Sequence, residues 1–415
     1  MKNSRRTAAF IFAKWLATKD FPQSLLPDGP DRAFVQDLVY TAIRRMRPLR
    51  KVLGALVRTW PKGELESLLY IGAAQILYME SVPDFAAVNE TVAAAKESGN
   101  PSIPKVVNGV LRNLIRRREE FADMLAAAPL EERESFPTAL VRRWRERFGE
   151  EKTAALCAWH NTPAETYLAR RDGSFVKLER GERVETTPGF KEGEFIVQDP
   201  GTSLAIELLG VRKGDRVLDA CAAPGGKTVQ IAWRGGEVTA VEVNPKRRRR
   251  LEENLARLHL SIPVLPELPA LEFVDSSICR FVDSEETPRK LSANVQIDES
   301  TNRQIDKFPL VLVDAPCSNT GVLRRRPDAR WNWNEEKLAA LVKLQSEILD
   351  AAAARVAPGG RLVYSTCSNE PEENAAQVEA FLARHPEFEF VEAKESIPCD
   401  TGYDGAFAAA IHRHP

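Results

Sequence analysis

The sequence predicts a multidomain protein: an all-α bundle at the N-terminus, an open α/β domain with a mostly parallel sheet at the C-terminus, and a small α+β subdomain linking them. Three observations carry this prediction. At 415 residues and 43% hydrophobic content the chain exceeds one ordinary core. Residues 1 to about 125 show apolar residues three and four apart with no strand-like alternation. From Gly214 onward, short apolar strands alternate with helical stretches, the pattern of a parallel sheet with crossover helices. The expected domains are therefore 1–125, 126–205 and 206–415.

The first element, Met1 to Asp20, has basic residues before a short apolar run and superficially resembles a signal peptide. Lys14 and Lys19 interrupt that run, no small-residue cleavage site follows, and the apolar positions have helical spacing, so an amphipathic helix is expected. Further helices are separated by turn signals at Pro27–Pro30, Pro61–Gly63 and Gly99–Pro101. The most apolar one, carrying Leu65, Leu68, Leu69, Ile71, Ala74, Ile76, Leu77 and Tyr78, belongs at the centre of the bundle. A second helix-rich stretch, Pro137 to Trp159, should bury Leu140, Val141, Trp144, Phe148, Leu156 and Trp159. Short strands begin near residue 166. The main sheet's strands are expected at Arg216–Asp219, Glu237–Glu242, Leu310–Asp314 and Arg361–Ser365. Residues 271–308 are polar without a firm period and read as an inserted excursion.

Composition excludes several classes of protein. Six scattered cysteines with no Cys-x-x-Cys pair argue against a disulfide framework or a structural zinc site, and point to reduced thiols in the cytoplasm. No metal, no membrane association and a monomer are expected. The formal net charge of −1 hides an uneven distribution, with ten Lys or Arg against four Asp or Glu in residues 1–50. Further basic clusters stand at Arg116–Arg118, Lys246–Arg250 and Arg324–Arg326. Such patches can bind phosphates on a neutral chain, although Lys246–Arg250 reads as a solvated helix face.

In an open parallel sheet, ligands bind at the carboxyl ends of the strands, so the four strand ends should converge on one site. The first runs through Asp219-Ala220-Cys221-Ala222-Ala223-Pro224-Gly225-Gly226-Lys227-Thr228, a small-residue turn into a helix. There the backbone can approach a ligand and free N–H groups face it. The spacing does not fit a G-x-x-x-x-G-K-[ST] phosphate loop. Glu242 ends the second strand, where a carboxylate would accept hydrogen bonds from ribose hydroxyls, which favours a nucleoside-containing cofactor. The third strand ends in Asp314-Ala315-Pro316-Cys317-Ser318 and the fourth in Tyr364-Ser365-Thr366-Cys367-Ser368. Cys157, Cys221, Cys279 and Cys399 read as inert thiols, whereas Cys317 and Cys367 lie in polar turns facing the expected cofactor site.

These segments, in this order and spacing, resemble the RNA cytosine-C5 methyltransferase family. The helical stretches Ala87–Val92 and Val107–Arg112 resemble the domain shared with the antitermination factor NusB, and the fusion resembles the bacterial ribosomal RNA methyltransferases of the Sun/Fmu (RsmB) type. Gln198–Ser203 and Tyr403–Phe407 extend the resemblance over nearly the whole chain.

The resemblance implies a Rossmann-like catalytic domain that binds S-adenosylmethionine and transfers its methyl group to carbon 5 of a cytosine. The substrate implied is RNA, small-subunit (16S) ribosomal RNA above transfer RNA, with a catalytically silent RNA-binding assembly factor as the non-enzymatic alternative. Cys367 is then the thiolate that adds to carbon 6, Cys317 assists breakdown of the adduct, and Asp314 hydrogen-bonds the base. The swapped cysteine roles, with Cys317 as nucleophile in the manner of DNA cytosine methyltransferases, stay open. No partner that would activate Cys367 is legible.

Implied cofactor contacts are Cys221, Ala222, Ala223, Pro224, Gly225, Gly226 and Lys227 on the loop, Glu242 at the ribose, and Asp314. The cytosine is expected flipped out or unpaired. Arg324–Arg326, Arg330, Trp331 and Trp333 are candidates for contacting RNA by charge and stacking, with packing under a loop the alternative for the two tryptophans. The sequence departs from the family pattern at Leu265–Pro269, where the family has a Gly-Asp-Gly turn at the adenine, and at Tyr167–Arg171.

Overall fold

The computed structural model describes residues 3–19, 21–179, 181–267 and 307–415. The excursion expected at 271–308 therefore lies outside the described residues up to 306, as does Cys279. The chain forms two compact units, one within residues 1–162 and 326–334, the other within 163–325 and 335–415.

The first unit is all helical: α1 (Ser4–Thr18), α2 (Arg32–Arg44), α3 (Met46–Gly54), α4 (Glu64–Tyr78), α5 (Asp84–Lys96), α6 (Ser102–Arg116), α7 (Arg118–Ala126), α8 (Leu130–Arg133) and α9 (Thr138–His160). Asn3 caps α1, its side chain accepting from the Arg5 and Arg6 N–H groups. The helix buries Ala8, Ala9, Ile11, Phe12 and Trp15 on one stripe, as expected of an amphipathic core helix. The expected central helix is α4, buried without a break from Ser67 to Ile76. Gly149, at φ +78°, breaks α9 into two helices. The short helix Ala329–Asn332, from far downstream in the sequence, also belongs to this unit.

The second unit starts with an antiparallel sheet of β1 (Tyr167–Arg170), β2 (Phe175–Lys177) and β3 (Phe195–Val197), ordered β2-β1-β3. There follow α10 (Leu204–Leu209), β4 (Arg216–Asp219), α11 (Gly226–Trp233), β5 (Glu237–Val241), α12 (Pro245–Arg257), β6 (Val264–Leu265) and β7 (Phe308–Asp314). The unit ends with α13 (Glu335–Ala353), β8 (Val356–Thr366), α14 (Ala375–Arg384), β9 (Phe388–Ser396) and β10 (Ala406–Arg413). The main sheet runs β6-β5-β4-β7-β8-β10-β9. Neighbours from β6 to β8 are parallel, while β10 is antiparallel to both β8 and β9.

Alternate residues of the central strands feed two cores. Val217, Leu312, Val363, Ala408 and Ala410 pack on one side with α10. Leu218, Val311, Val313, Leu362, Tyr364 and Ala409 pack on the other with α13 and α14. A sheet covered on both faces explains the continuous apolar runs. The register sets Asp219 opposite Leu312 and Asp314 opposite Ser365, so the polar strand ends fall at neighbouring levels.

Candidate active site

The turn after β4 leads into α11, whose N-cap, Gly225, has φ +108° and offers no side-chain cap. The first N–H groups of α11 therefore need another acceptor. Asp219, with no exposure, accepts from Thr228 Oγ at 2.6 Å through Oδ2. Its Oδ1 has no hydrogen-bond partner, and burial pushes the carboxyl up to about 6. Gln198, from the segment ahead of α10, accepts from Gln230 Nε2 at 2.9 Å and so supports this turn from behind.

Glu242, just past β5, is buried. One carboxylate oxygen accepts from the Asn244 N–H at 2.9 Å, and the other lies 3.4 Å from Arg247 Nε. Arg247 also donates to the Ala223 carbonyl at 3.0 Å, and Arg248 to the Glu242 carbonyl at 3.2 Å. Two members of the basic run expected to be a solvated face thus fasten the β5 end to the small-residue turn. Nothing in the run of five consecutive basic residues sets these two apart from their exposed neighbours. Glu267, the acid in place of the expected Gly-Asp-Gly turn, is exposed just beyond β6.

At the end of β7, Asp314 pairs with Lys227 of the small-residue turn at 2.6 Å. Burial works to lower the Lys227 ammonium, but the Asp314 carboxylate outweighs it and holds the ammonium above its ordinary value. The Cys367 sulfur is among the groups that stabilise this charge. Cys317 and Cys367, fifty residues apart, come together with their sulfurs 3.2 Å apart. Cys317 is buried at 4% exposure, and Cys367 is partly exposed. The hydrogen bond to Cys367, then burial, raise the Cys317 thiol well above its ordinary range. Cys367 Sγ also meets Asn319 Oδ1 at 3.3 Å, while Asn319 Nδ2 donates to the Cys317 carbonyl at 2.9 Å. The expected site residues are therefore brought together on adjoining strand ends, and Glu242, Asp314 and Lys227 among them already have protein partners.

A ring of loops supports the cysteine turns. The Gly321 N–H donates to the Cys367 carbonyl at 3.0 Å, and the Gly405 N–H to the Gly321 carbonyl at 2.8 Å. A Cβ on Gly405 would lie 2.6 Å from Gly321 Cα, so no side chain fits there. Arg325 bridges the buried Asp199 and Asp404, at 2.7 Å from Asp199 Oδ2. This is why the Gln198–Ser203 and Tyr403–Phe407 segments accompany the cysteine motifs.

The RNA-contact reading of the aromatic-basic segment needs correction. Arg324, Arg330 and Trp333 are buried, Arg325 is bound between two aspartates, and Arg326 pairs with Asp328. The Arg330 guanidinium donates to the carbonyls of Ser135 and His160 and to Asn161 Oδ1, and stacks 3.9 Å from the Phe136 ring. The Trp331 Nε1–H donates to the Ile43 carbonyl at 2.9 Å. Packing, which the sequence left open for the two tryptophans only, holds for the arginines as well.

The family description "16S rRNA methyltransferase RsmB/F" matches residues 206–411, and that of the NusB family matches residues 2–116. Ribosomal RNA small subunit methyltransferase B of Vibrio cholerae is 32% identical over 92% of this chain and 90% of its own length. The chain belongs to the RsmB/F methyltransferase family. The Vibrio vulnificus protein of the same name is 31% identical over 95% of this chain and 94% of its own. The solved structure of PH0851 shares the fold at 20% identity, with a TM-score of 0.74, covering 100% of this chain and 99% of that one. That of NSun6 from Pyrococcus horikoshii with SFG covers 68% of this chain and 99% of that one at 18% identity, with a TM-score of 0.53.

As an RsmB/F methyltransferase, the protein uses S-adenosylmethionine as methyl donor. The residues present fit that group: an unpartnered buried carboxylate oxygen on Asp219, uncapped N–H groups on α11 and an acid at the end of β5. Among the described residues no cluster of His, Cys, Asp and Glu could hold a metal ion, and no helix is long and apolar enough to cross a membrane.

Proposed function

We propose that this RsmB/F methyltransferase methylates carbon 5 of a cytosine in small-subunit ribosomal RNA through a covalent adduct between the Cys367 sulfur and carbon 6. The observation that carries the reading is the pair of sulfurs 3.2 Å apart next to the Lys227–Asp314 ion pair. S-adenosylmethionine supplies an electrophilic methyl group, held by the Cys221–Lys227 turn with Glu242 toward its ribose. Carbon 5 of cytosine is a poor nucleophile. Addition of the Cys367 sulfur to carbon 6 turns the ring into an enamine whose carbon 5 attacks that methyl. Asp314 shares a proton with the ring nitrogen of the base, which neutralises the charge that sulfur addition places there, and the Lys227 ammonium at 2.6 Å balances the Asp314 carboxylate. Transfer leaves S-adenosylhomocysteine. The carbon 5 proton then passes to solvent base, its electron pair re-forms the carbon 5–carbon 6 double bond, and the carbon–sulfur bond breaks, with the Cys317 S–H hydrogen-bonding the departing Cys367 sulfur 3.2 Å away.

The two thiols differ in a way that supports these roles rather than the swapped ones. Cys317 is buried and held protonated, while Cys367 is the more exposed sulfur, beside a lysine ammonium. The relatives' names and the NusB-like helical domain favour ribosomal over transfer RNA. The reading places the protein in the cytoplasm, acting as a monomer.

The test incubates purified protein with tritium-methyl S-adenosylmethionine and unmodified small-subunit ribosomal RNA, with transfer RNA and DNA as competing substrates. The expected product is 5-methylcytosine in the ribosomal RNA, lost in Cys367→Ala. Cys317→Ala should accumulate a covalent protein–RNA adduct. Adduct formation that persists in Cys367→Ala but vanishes in Cys317→Ala would reverse the roles.

A further inference from the structure

Glu373 lies six residues beyond Cys367, in a segment whose sequence reads only as an acidic helix start. It has no exposure. One carboxylate oxygen accepts from the Ser318 N–H at 2.8 Å and from Gln345 Nε2 at 2.9 Å. The other accepts from the hydroxyls of Ser318 and Ser368. Ser318 follows Cys317 and Ser368 follows Cys367, so one carboxylate holds the chain neighbours of both sulfurs while touching neither. Gln345 Nε2 also donates to the Pro316 carbonyl at 2.9 Å, and the Tyr364 hydroxyl to the Glu373 carbonyl at 2.7 Å. The bond set therefore runs from the residue before Cys317 to the residue after Cys367.

A carboxylate without exposure carries a large desolvation penalty unless several donors meet it, and four meet this one. We propose that Glu373 is a positioning residue for methyl transfer, clamping the Cys317 turn to the Cys367 turn and setting the gap between their sulfurs. The proposal rests on the roles given to the two cysteines above. Both sulfurs act on one cytosine, the first at carbon 6 and the second in the elimination, so their spacing must be kept through the reaction. Misplacement of a reacting group by about 1 Å costs roughly a hundredfold in rate. The carboxylate has a second effect, because its charge helps to keep Cys317 protonated.

The experiment compares wild type, Glu373→Gln, Glu373→Asp and Glu373→Ala in the full chain with two readouts. One is the kinetics of methyl transfer to small-subunit ribosomal RNA. The other is the equilibrium between the Cys317–Cys367 dithiol and its disulfide in glutathione redox buffers, read by peptide mass, which reports how closely the sulfurs are held without requiring any catalysis. Glu373→Gln keeps the size but loses one acceptor oxygen. It is expected to lower kcat roughly tenfold to a hundredfold and to weaken disulfide formation in step, while KM for both substrates stays within about twofold. Glu373→Asp should recover part of both losses.

Unchanged kcat and an unchanged disulfide equilibrium in Glu373→Gln would overturn the proposal. So would losses that fall equally on KM and follow the melting temperature across the three variants, because they would mark Glu373 as support for the fold alone. If the wild type transfers no methyl group to any cytosine, yet Glu373→Gln still weakens the disulfide, the clamp stands and the function proposed above falls.

Discussion

Asn319 occupies the left-handed region at φ +60°, in the turn that carries Cys317, with its amide between the Cys317 carbonyl and the Cys367 sulfur. Replacing it tests whether the amide or only the backbone shape matters. Asn319→Asp keeps the size and tolerates the same backbone, but sets a negative charge against the sulfur and disfavours its anion. Single-turnover methyl transfer should then slow by roughly tenfold at a fixed pH, with binding of S-adenosylmethionine unchanged. A single-turnover rate equal to wild type would show that the amide has no influence on Cys367. At Asp219 the stability of the chain should depend on pH. Its carboxyl is pushed up to about 6 by burial, so the folded state binds the proton more tightly than the unfolded chain. Stability is then lost as pH rises from roughly 4 through 6. Urea unfolding at pH 4.5 and 7.5 should show Asp219→Asn gaining on wild type by on the order of 2 kcal/mol at the higher pH. A gain at the lower pH instead would contradict the assignment. Asp314, Cys317 and Cys367 were legible in the sequence because each ends an apolar run at a polar turn. The supporting roles of Asn319 and Glu373, and the pairing of the loop residue Lys227 with Asp314, were not, since those contacts depend on how turns far apart in sequence meet.

Among the elements, the four strands expected from the sequence are all in the sheet, while β9 and β10 were missed. β10 has four alanines in its first five residues, which have little strand preference, yet it is buried on both faces between β8 and β9. β9 is an edge strand with Phe390 and Val391 exposed between charged residues, so it shows no clean alternation. The short helix Ala329–Asn332 was misread for a different reason. An Arg-Trp cluster looks like a nucleic-acid contact, and only the fold reveals that Arg330 is enclosed by helices whose carbonyls it satisfies. Burial lowers the Arg330 guanidinium well below its ordinary value. Arg330→Ala should therefore destabilise the helical unit by about 3 kcal/mol or more, leaving the carbonyls unpaired and a void against Phe136. Arg330→Lys should fail to restore it, because an ammonium lacks the planar fork. Urea unfolding followed by tryptophan fluorescence measures both, and a change under 1 kcal/mol would show the enclosure to be unimportant.

On the scale of the whole molecule, the sequence suggested domain bounds at 125 and 205, whereas the compact units part after residue 162, close to the change of periodicity near residue 166, and the NusB and RsmB/F matches fall on its two sides. No pattern in the residues indicated that the helical unit takes 326–334 from beyond the Cys317 turn. A fragment of residues 1–162 lacks Arg330, Trp331 and Trp333, which fill and hydrogen-bond the helical unit in the full chain. It should unfold at lower urea than the helical unit of the intact protein, and a synthetic peptide of residues 326–334 should raise its midpoint. Equal midpoints with and without the peptide would show that the segment adds nothing. The same arrangement constrains the order of events on the ribosome. The helical unit is translated first, yet its last piece emerges about 170 residues later, roughly 10 to 30 s at common elongation rates. Through that interval the nascent helices have an open pocket where Arg330 belongs, so a chaperone that binds incomplete helical bundles would have a defined time window in which to act, closed by the chain's own elongation.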